Sequence, residues 1–78
     1  MIRKAVIISI SGIFLTRQEI NIFKKEKPWG VILFQRNILS EKQVKKLTST
    51  IRKIMKDKKY PILIDEEGGR VTRFSNFL

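Results

Sequence analysis

Two apolar runs that break off into polar clusters limit what this chain can fold into. The sharper one is Pro61-Ile-Leu-Ile-Asp-Glu-Glu-Gly-Gly-Arg-Val-Thr-Arg-Phe74, in which three aliphatic residues are followed by three carboxylates, two glycines and two arginines. A short apolar run without alternation is the pattern of a strand covered on both faces, as in a parallel sheet. Charge released at the end of such a strand, onto a Gly-Gly turn, starts from a fixed point and can use backbone angles that other residues resist. The earlier run, Trp29-Gly-Val-Ile-Leu-Phe34, exits in the same manner, into Gln35-Arg-Asn37.

Helical patterns fill the spaces between. Thr16-Arg-Gln-Glu19 is a capping box, with the Thr16 hydroxyl accepting from the Glu19 amide and the Glu19 carboxylate accepting from the Thr16 amide. It predicts a helix over residues 17–25 with Ile20 and Phe23 on one face, closed by Pro28. Ser40-Glu-Lys-Gln43 predicts a second box, Gln43 returning the bond, and a helix over residues 41–56. Val44, Leu47, Ile51, Ile54 and Met55 form its apolar stripe, while Lys42, Lys45, Lys46, Arg52, Lys53 and Lys56 take the remaining surface. Residues 4–10, with β-branched Val6, Ile7, Ile8 and Ile10, read as the first strand.

The order strand, helix, strand, helix, strand predicts an α/β fold with parallel strands joined by crossovers. Three parallel strands leave two open edges, so residues 1–78 are expected to be the beginning of one larger α/β domain, with no second domain. Parallel sheets carry their sites at the carboxyl ends of the strands. Arg36, Asn37 and the cluster from residue 65 to 73 are therefore expected on one rim, lining one pocket.

Composition narrows the chemistry. The chain has no histidine and no cysteine, which removes the commonest general base and the commonest soft metal ligands. No metal constellation and no cofactor are expected, and Gly68-Gly69 lacks the spacing of a dinucleotide or phosphate loop. Seventeen Lys and Arg against seven Asp and Glu give a net charge of +10, which admits an alternative, a non-enzymatic basic α/β module binding nucleic acid or an acidic partner. The excess lies on helix faces and reads as solvated surface, so no nucleic-acid partner is assigned. No apolar run approaches the ~20 residues of a membrane span, and the first apolar run is interrupted by Ser9 and Ser11, so a cytoplasmic address is expected, with no membrane partner. Asp65 and Glu67 could flank a glycosidic bond, but residues two apart on a strand move together and do not straddle a sugar ring. Asp65 is better suited to accept hydroxyl hydrogen bonds and Arg73 to donate a fork. Glu67 with Arg70 reads as an ion pair bracing the turn, and Trp29 as a core aromatic at a strand entry.

Gly30-Val-Ile-Leu-Phe-Gln-Arg-Asn37, Gln43, Leu47, Ile51-Arg52 and Ile64-Asp-Glu-Glu-Gly-Gly-Arg-Val-Thr-Arg-Phe74 together resemble the start of glycoside hydrolase family 3. They lie nearest its bacterial β-N-acetylhexosaminidase branch, which recycles cell-wall muropeptides. The resemblance implies the N-terminal portion of a TIM-type (β/α)8 barrel and a retaining hydrolase of terminal β-linked N-acetylglucosamine in peptidoglycan-derived muropeptides. It implies an aspartate nucleophile and a histidine–aspartate acid/base pair downstream, so no catalytic residue is assigned within this chain. By the same resemblance Asp65 and Arg73 bind substrate, and Glu67, Gly68, Gly69 and Arg70 shape the site. Glu66 stands where the family often has Gln or His. A barrel of this kind needs ~200 residues or more, so the 78-residue chain is expected to be a fragment, inactive alone.

Overall fold

The computed structural model describes residues 4–66 and 70–73, with side chains described for residues 4–65. Strand β1 (Lys4–Ser9) leads to helix α1 (Arg17–Glu26), strand β2 (Pro28–Leu33), a single 3₁₀ turn (Gln35–Asn37), helix α2 (Glu41–Met55), strand β3 (Ile62–Glu66) and strand β4 (Arg70–Arg73). The sheet order is β1-β2-β3-β4. β1 with β2, and β2 with β3, pair in parallel across the two helices, as the alternation of apolar runs and capped helices predicts.

β4 is the departure. It pairs antiparallel with β3, Glu66 opposite Arg70 and Leu63 opposite Arg73. The segment after Asp65 was expected to be a turn at a strand end, yet its last four described residues double back as a strand. Arg-Val-Thr-Arg directly after Gly-Gly carried that signal, because β-formers bounded by glycines mark a short hairpin. The return strand covers one of the two open edges left by three parallel strands.

Both helices start as their sequences require. Thr16 caps α1 in a full capping box, and a left-handed Lys27 (φ 48°) ends it. Only half of the second box forms: the Gln43 amide donates to Ser40 Oγ at 3.1 Å, but the Gln43 side chain turns to other partners. The buried side of α2 is wider than its aliphatic stripe, since Gln43 and Thr48 are buried with Val44, Leu47, Ile51 and Met55.

One face of the sheet meets the helices. Val31, Leu33, Ile62 and Ile64 form a continuous core with Ile10, Phe23, Leu47, Ile51, Met55 and Tyr60. Tyr60, unremarked in the sequence, is fully buried; its hydroxyl donates to the Pro28 carbonyl at 2.8 Å, and its ring meets Phe23 edge-on. The expectation that β2 and β3 are covered on both faces is not met. Ile32, Leu63 and Asp65, which alternate to the other face, are half-buried, and Ile7 of β1 is exposed. Trp29 is likewise 45% exposed rather than a core aromatic, although Pro28 beside it is fully buried.

Gly30 is where two strands approach most tightly. A Cβ there would stand 3.0 Å from the Pro61 carbonyl oxygen and 3.2 Å from Pro61 Cβ. That carbonyl is held in place by the Val31 N–H at 3.1 Å, so it cannot yield. Gly30→Ala is expected to destabilise the fold by about 1–3 kcal/mol through overpacking. Urea unfolding measures this, and an unchanged midpoint would show that the β2–β3 pair tolerates the methyl group.

Candidate functional site

The carboxyl ends of β1, β2 and β3 form a rim, and a buried amide organises it. In the parallel ladder, Val31 N–H donates to the carbonyl of Pro61, just before β3, so even-numbered residues of β2 turn their N–H groups toward β1. Ser9 pairs with Ile32 in the last rung. The next rung would join Phe34 N–H to the Ile10 carbonyl. Instead the Asn37 side chain stands between them. Its Oδ1 accepts from Phe34 N–H at 2.8 Å, and its Nδ2 donates to the carbonyls of Ile10 at 3.1 Å and Gly12 at 2.7 Å. Asn37 is fully buried, and its side-chain hydrogen-bonding groups are satisfied, as burial of an amide demands.

A second amide extends the network. Gln43 Nε2 donates to the Asn37 carbonyl at 3.0 Å and to the Ile13 carbonyl at 2.6 Å, while its Oε1 accepts from Leu39 N–H at 2.8 Å. The loop after β1, the turn after β2 and the start of α2 are thereby tied together. Arg36 adds an outer brace, donating to the Ile10 carbonyl at 3.2 Å with its guanidinium 4.8 Å from the centre of the Phe34 ring.

This corrects one expectation. Arg36 and Asn37 were expected to line a pocket; Asn37 is buried and Arg36, though exposed, bonds back to the Ile10 carbonyl, so both hold strand ends. A side chain short enough to mimic a peptide group, sitting in the tight turn after a strand, was the available hint.

The loop after β1 is fixed on its other side by Glu19. Thr16 N–H donates to Oε1 at 2.9 Å, completing the capping box, and Ser11 N–H donates to Oε2 at 2.8 Å. Partial burial pushes this carboxyl up, but the hydrogen bonds from Thr16 and Ser11 outweigh it and hold it below its ordinary value of 4.5.

Asp65 is on β3, one residue past the last β2–β3 rung, Leu33 with Ile64, and so beside Phe34. Its Oδ1 is buried and accepts no hydrogen bond among the described residues. Register places position 71 opposite 65 and position 73 opposite 63. Cross-strand partners share a face, so positions 65 and 73 fall on one face of the sheet, the side away from the helices. For Arg70 and Arg73 the structure describes backbone only, and Glu67, Gly68 and Gly69 lie outside the described residues. Among the described residues there is no group of three or more Asp and Glu close enough to hold a metal ion, and no helix long and apolar enough to cross a membrane.

A concavity of about 570 Å³ lies elsewhere, along α2 toward its C-terminal end, lined by Lys45, Thr48, Arg52, Lys53, Lys56 and Lys58 among others. Its lining contains none of the rim residues.

No family model matches the chain. Curated proteins do. The β-hexosaminidase of Haemophilus ducreyi is 42% identical over 71 residues, covering 88% of this chain and 20% of that protein. That of Stenotrophomonas maltophilia is 39% identical over 69 residues, with the same coverage. The chain thus spans about a fifth of the length of the curated relatives it matches. In fold it is similar to NagZ from Neisseria gonorrhoeae, solved in complex with N-trifluoroacetyl-D-glucosamine, with a TM-score of 0.73 and 35% sequence identity over 91% of this chain and 21% of that one. The parallel strands and helices correspond to the N-terminal part of that fold.

The Glu19 bonds predict an acid-sensitive rim. A carboxylate with a lowered pKa contributes stability that is present above its unfolded value and lost as pH falls through its folded one. Stability attributable to Glu19 is therefore full above about 4.5 and lost below it. Glu19→Gln should flatten the acid limb of a melting-temperature profile, and an unaltered limb would show that the two amide bonds do not favour the ionised form.

Proposed function

We propose that this chain, which belongs to the glycoside hydrolase family 3 β-N-acetylhexosaminidases, supplies part of the sugar-holding rim of a retaining hydrolase. The substrate class is terminal β-linked N-acetylglucosamine in peptidoglycan-derived muropeptides, met in the cytoplasm. Residues 1–78 are the opening strands and helices of a (β/α)8 barrel, and its nucleophile and acid/base lie outside them.

The observation that carries this reading is the buried Oδ1 of Asp65 at the end of β3, which has no hydrogen-bond partner among the described residues. A carboxylate in that state has a place for a donor, and a sugar hydroxyl is one. A hydrogen bond to a charged acceptor is worth about 1.5–3 kcal/mol, enough to orient a monosaccharide. Arg73, on the same face by register, suits the second contact, a guanidinium fork toward a hydroxyl or carbonyl oxygen. Glu67, Gly68, Gly69 and Arg70 connect the two positions along the chain and shape the rim between them. The glucosamine derivative bound by the gonococcal relative supports the ligand class. The reaction divides accordingly: this part binds and orients, and the rest of the barrel breaks the bond.

Titration with N-acetylglucosamine, followed by NMR, tests the assignment. Asp65→Asn keeps the shape and removes the charge, and is expected to weaken binding by about tenfold, the difference between a charged and a neutral acceptor. Equal affinities for the two proteins, or no binding by the unaltered one, would overturn it. Because the chain has no histidine, it should leave a chromogenic β-N-acetylglucosaminide intact; turnover above background would show that a catalytic group has been overlooked among these residues.

A further inference from the structure

We propose that Asn37 is a positioning residue for sugar binding: its side-chain amide replaces the next rung of the β1–β2 ladder and thereby sets the strand ends beside Asp65. The inference rests on the reading of Asp65 given above.

The argument begins with the ladder. A regular parallel pair would continue with Phe34 N–H on the Ile10 carbonyl, drawing β1 and β2 together up to the rim. In this structure the two groups are bridged by an amide, Phe34 N–H to Oδ1 and Nδ2–H to Ile10. The bridge lengthens that rung by the width of the amide, and the ends of β1 and β2 part where the site begins. Phe34, held from one side by Asn37, stands next in register to Asp65. The position of Phe34 therefore limits where the end of β3, and Asp65 with it, can lie.

The bridge is also directional. Nδ2 donates to two carbonyl oxygens, Ile10 and Gly12, so a group lacking a donor cannot replace it. Gln43 fixes the Asn37 backbone by donating to its carbonyl, and Arg36 shares the Ile10 carbonyl. Among the described residues, the charged side chain that hydrogen-bonds a group of this bridge is Arg36. The sequence that builds it is local: Phe34, Asn37 and the 3₁₀ turn between them close one ring, with Asn37 N–H donating to the Phe34 carbonyl at 2.8 Å.

Asn37→Asp is the test. It preserves shape and the acceptor for Phe34 N–H, but when ionised it sets a carboxylate oxygen against two carbonyls; when protonated it regains one donor. In a variant shown by its amide spectrum to be folded, affinity for N-acetylglucosamine is expected to fall about tenfold at neutral pH and to recover in part in acid. The side-chain carboxyl carbon resonance of Asp65 is expected to move even without sugar. Ile51→Val, which trims the core far from the rim, serves as the comparison for lost stability alone and should leave both readouts unchanged. A folded Asn37→Asp with the unaltered Asp65 resonance and affinity would overturn the proposal, as would Ile51→Val shifting both equally. If Asn37→Asp does not fold, Asn37→Ser takes its place, being neutral yet too short to span Phe34 and Ile10, and the same two readouts decide. If the unaltered protein binds no sugar, the reading of Asp65 falls, while the Asp65 resonance still decides whether Asn37 positions it.

Discussion

The side-chain amide of Asn37 is the one group on which the upper half of this structure depends. It is fully buried, and it joins three pieces of backbone distant in sequence: Ile10 and Gly12 after β1, Phe34 after β2, and, through its own carbonyl and Gln43, the start of α2. Hydrogen bonds of this kind add little net stability, about 0.5–1.5 kcal/mol each. What they add is uniqueness. Two loops that hydrophobic packing alone would leave free to shift are fixed relative to each other, because any displacement strands a buried donor or acceptor.

Below the rim the logic is hydrophobic and one-sided. Helix residues Phe23, Leu47, Ile51 and Met55 close over Val31, Leu33, Ile62 and Ile64. The other face carries Ile7, Ile32, Leu63 and Asp65 at intermediate or high exposure. The sheet thus has helices on one side and a half-covered apolar face on the other, and Asp65 lies on that second face near the carboxyl end of β3. Most of the positive charge is distributed differently, along α1 and α2 and the turns that end them. The net charge of +10 therefore says little about the site.

Much of the secondary structure was legible in the residues. Capping at Thr16 and Ser40, the stripe from Val44 to Met55 and the unalternating strand runs each act over a few residues, and each element forms close to its predicted bounds. Sequence reading failed where a local rule met a distant partner. The Ser40 box predicted that the Gln43 side chain would accept from its own cap; its Oε1 accepts from Leu39 N–H instead, while its Nε2 donates to the Ile13 and Asn37 carbonyls. Trp29 was assigned to the core from its place at a strand entry, yet it is exposed. Arg36 and Asn37 were expected at the site and brace it instead.

The sequence by itself determined the element types, their order and the parallel direction of the first three strands, since propensity, capping and crossover geometry are properties of neighbouring residues. It also marked Asp65 as a charge released at a strand end. Only the tertiary structure decided which polar side chains turn inward, that the chain doubles back as β4 after Asp65, and that β1 and β2 part at the rim. Those outcomes depend on which donors and acceptors are brought within 3 Å or so of each other, and a linear pattern does not contain that information.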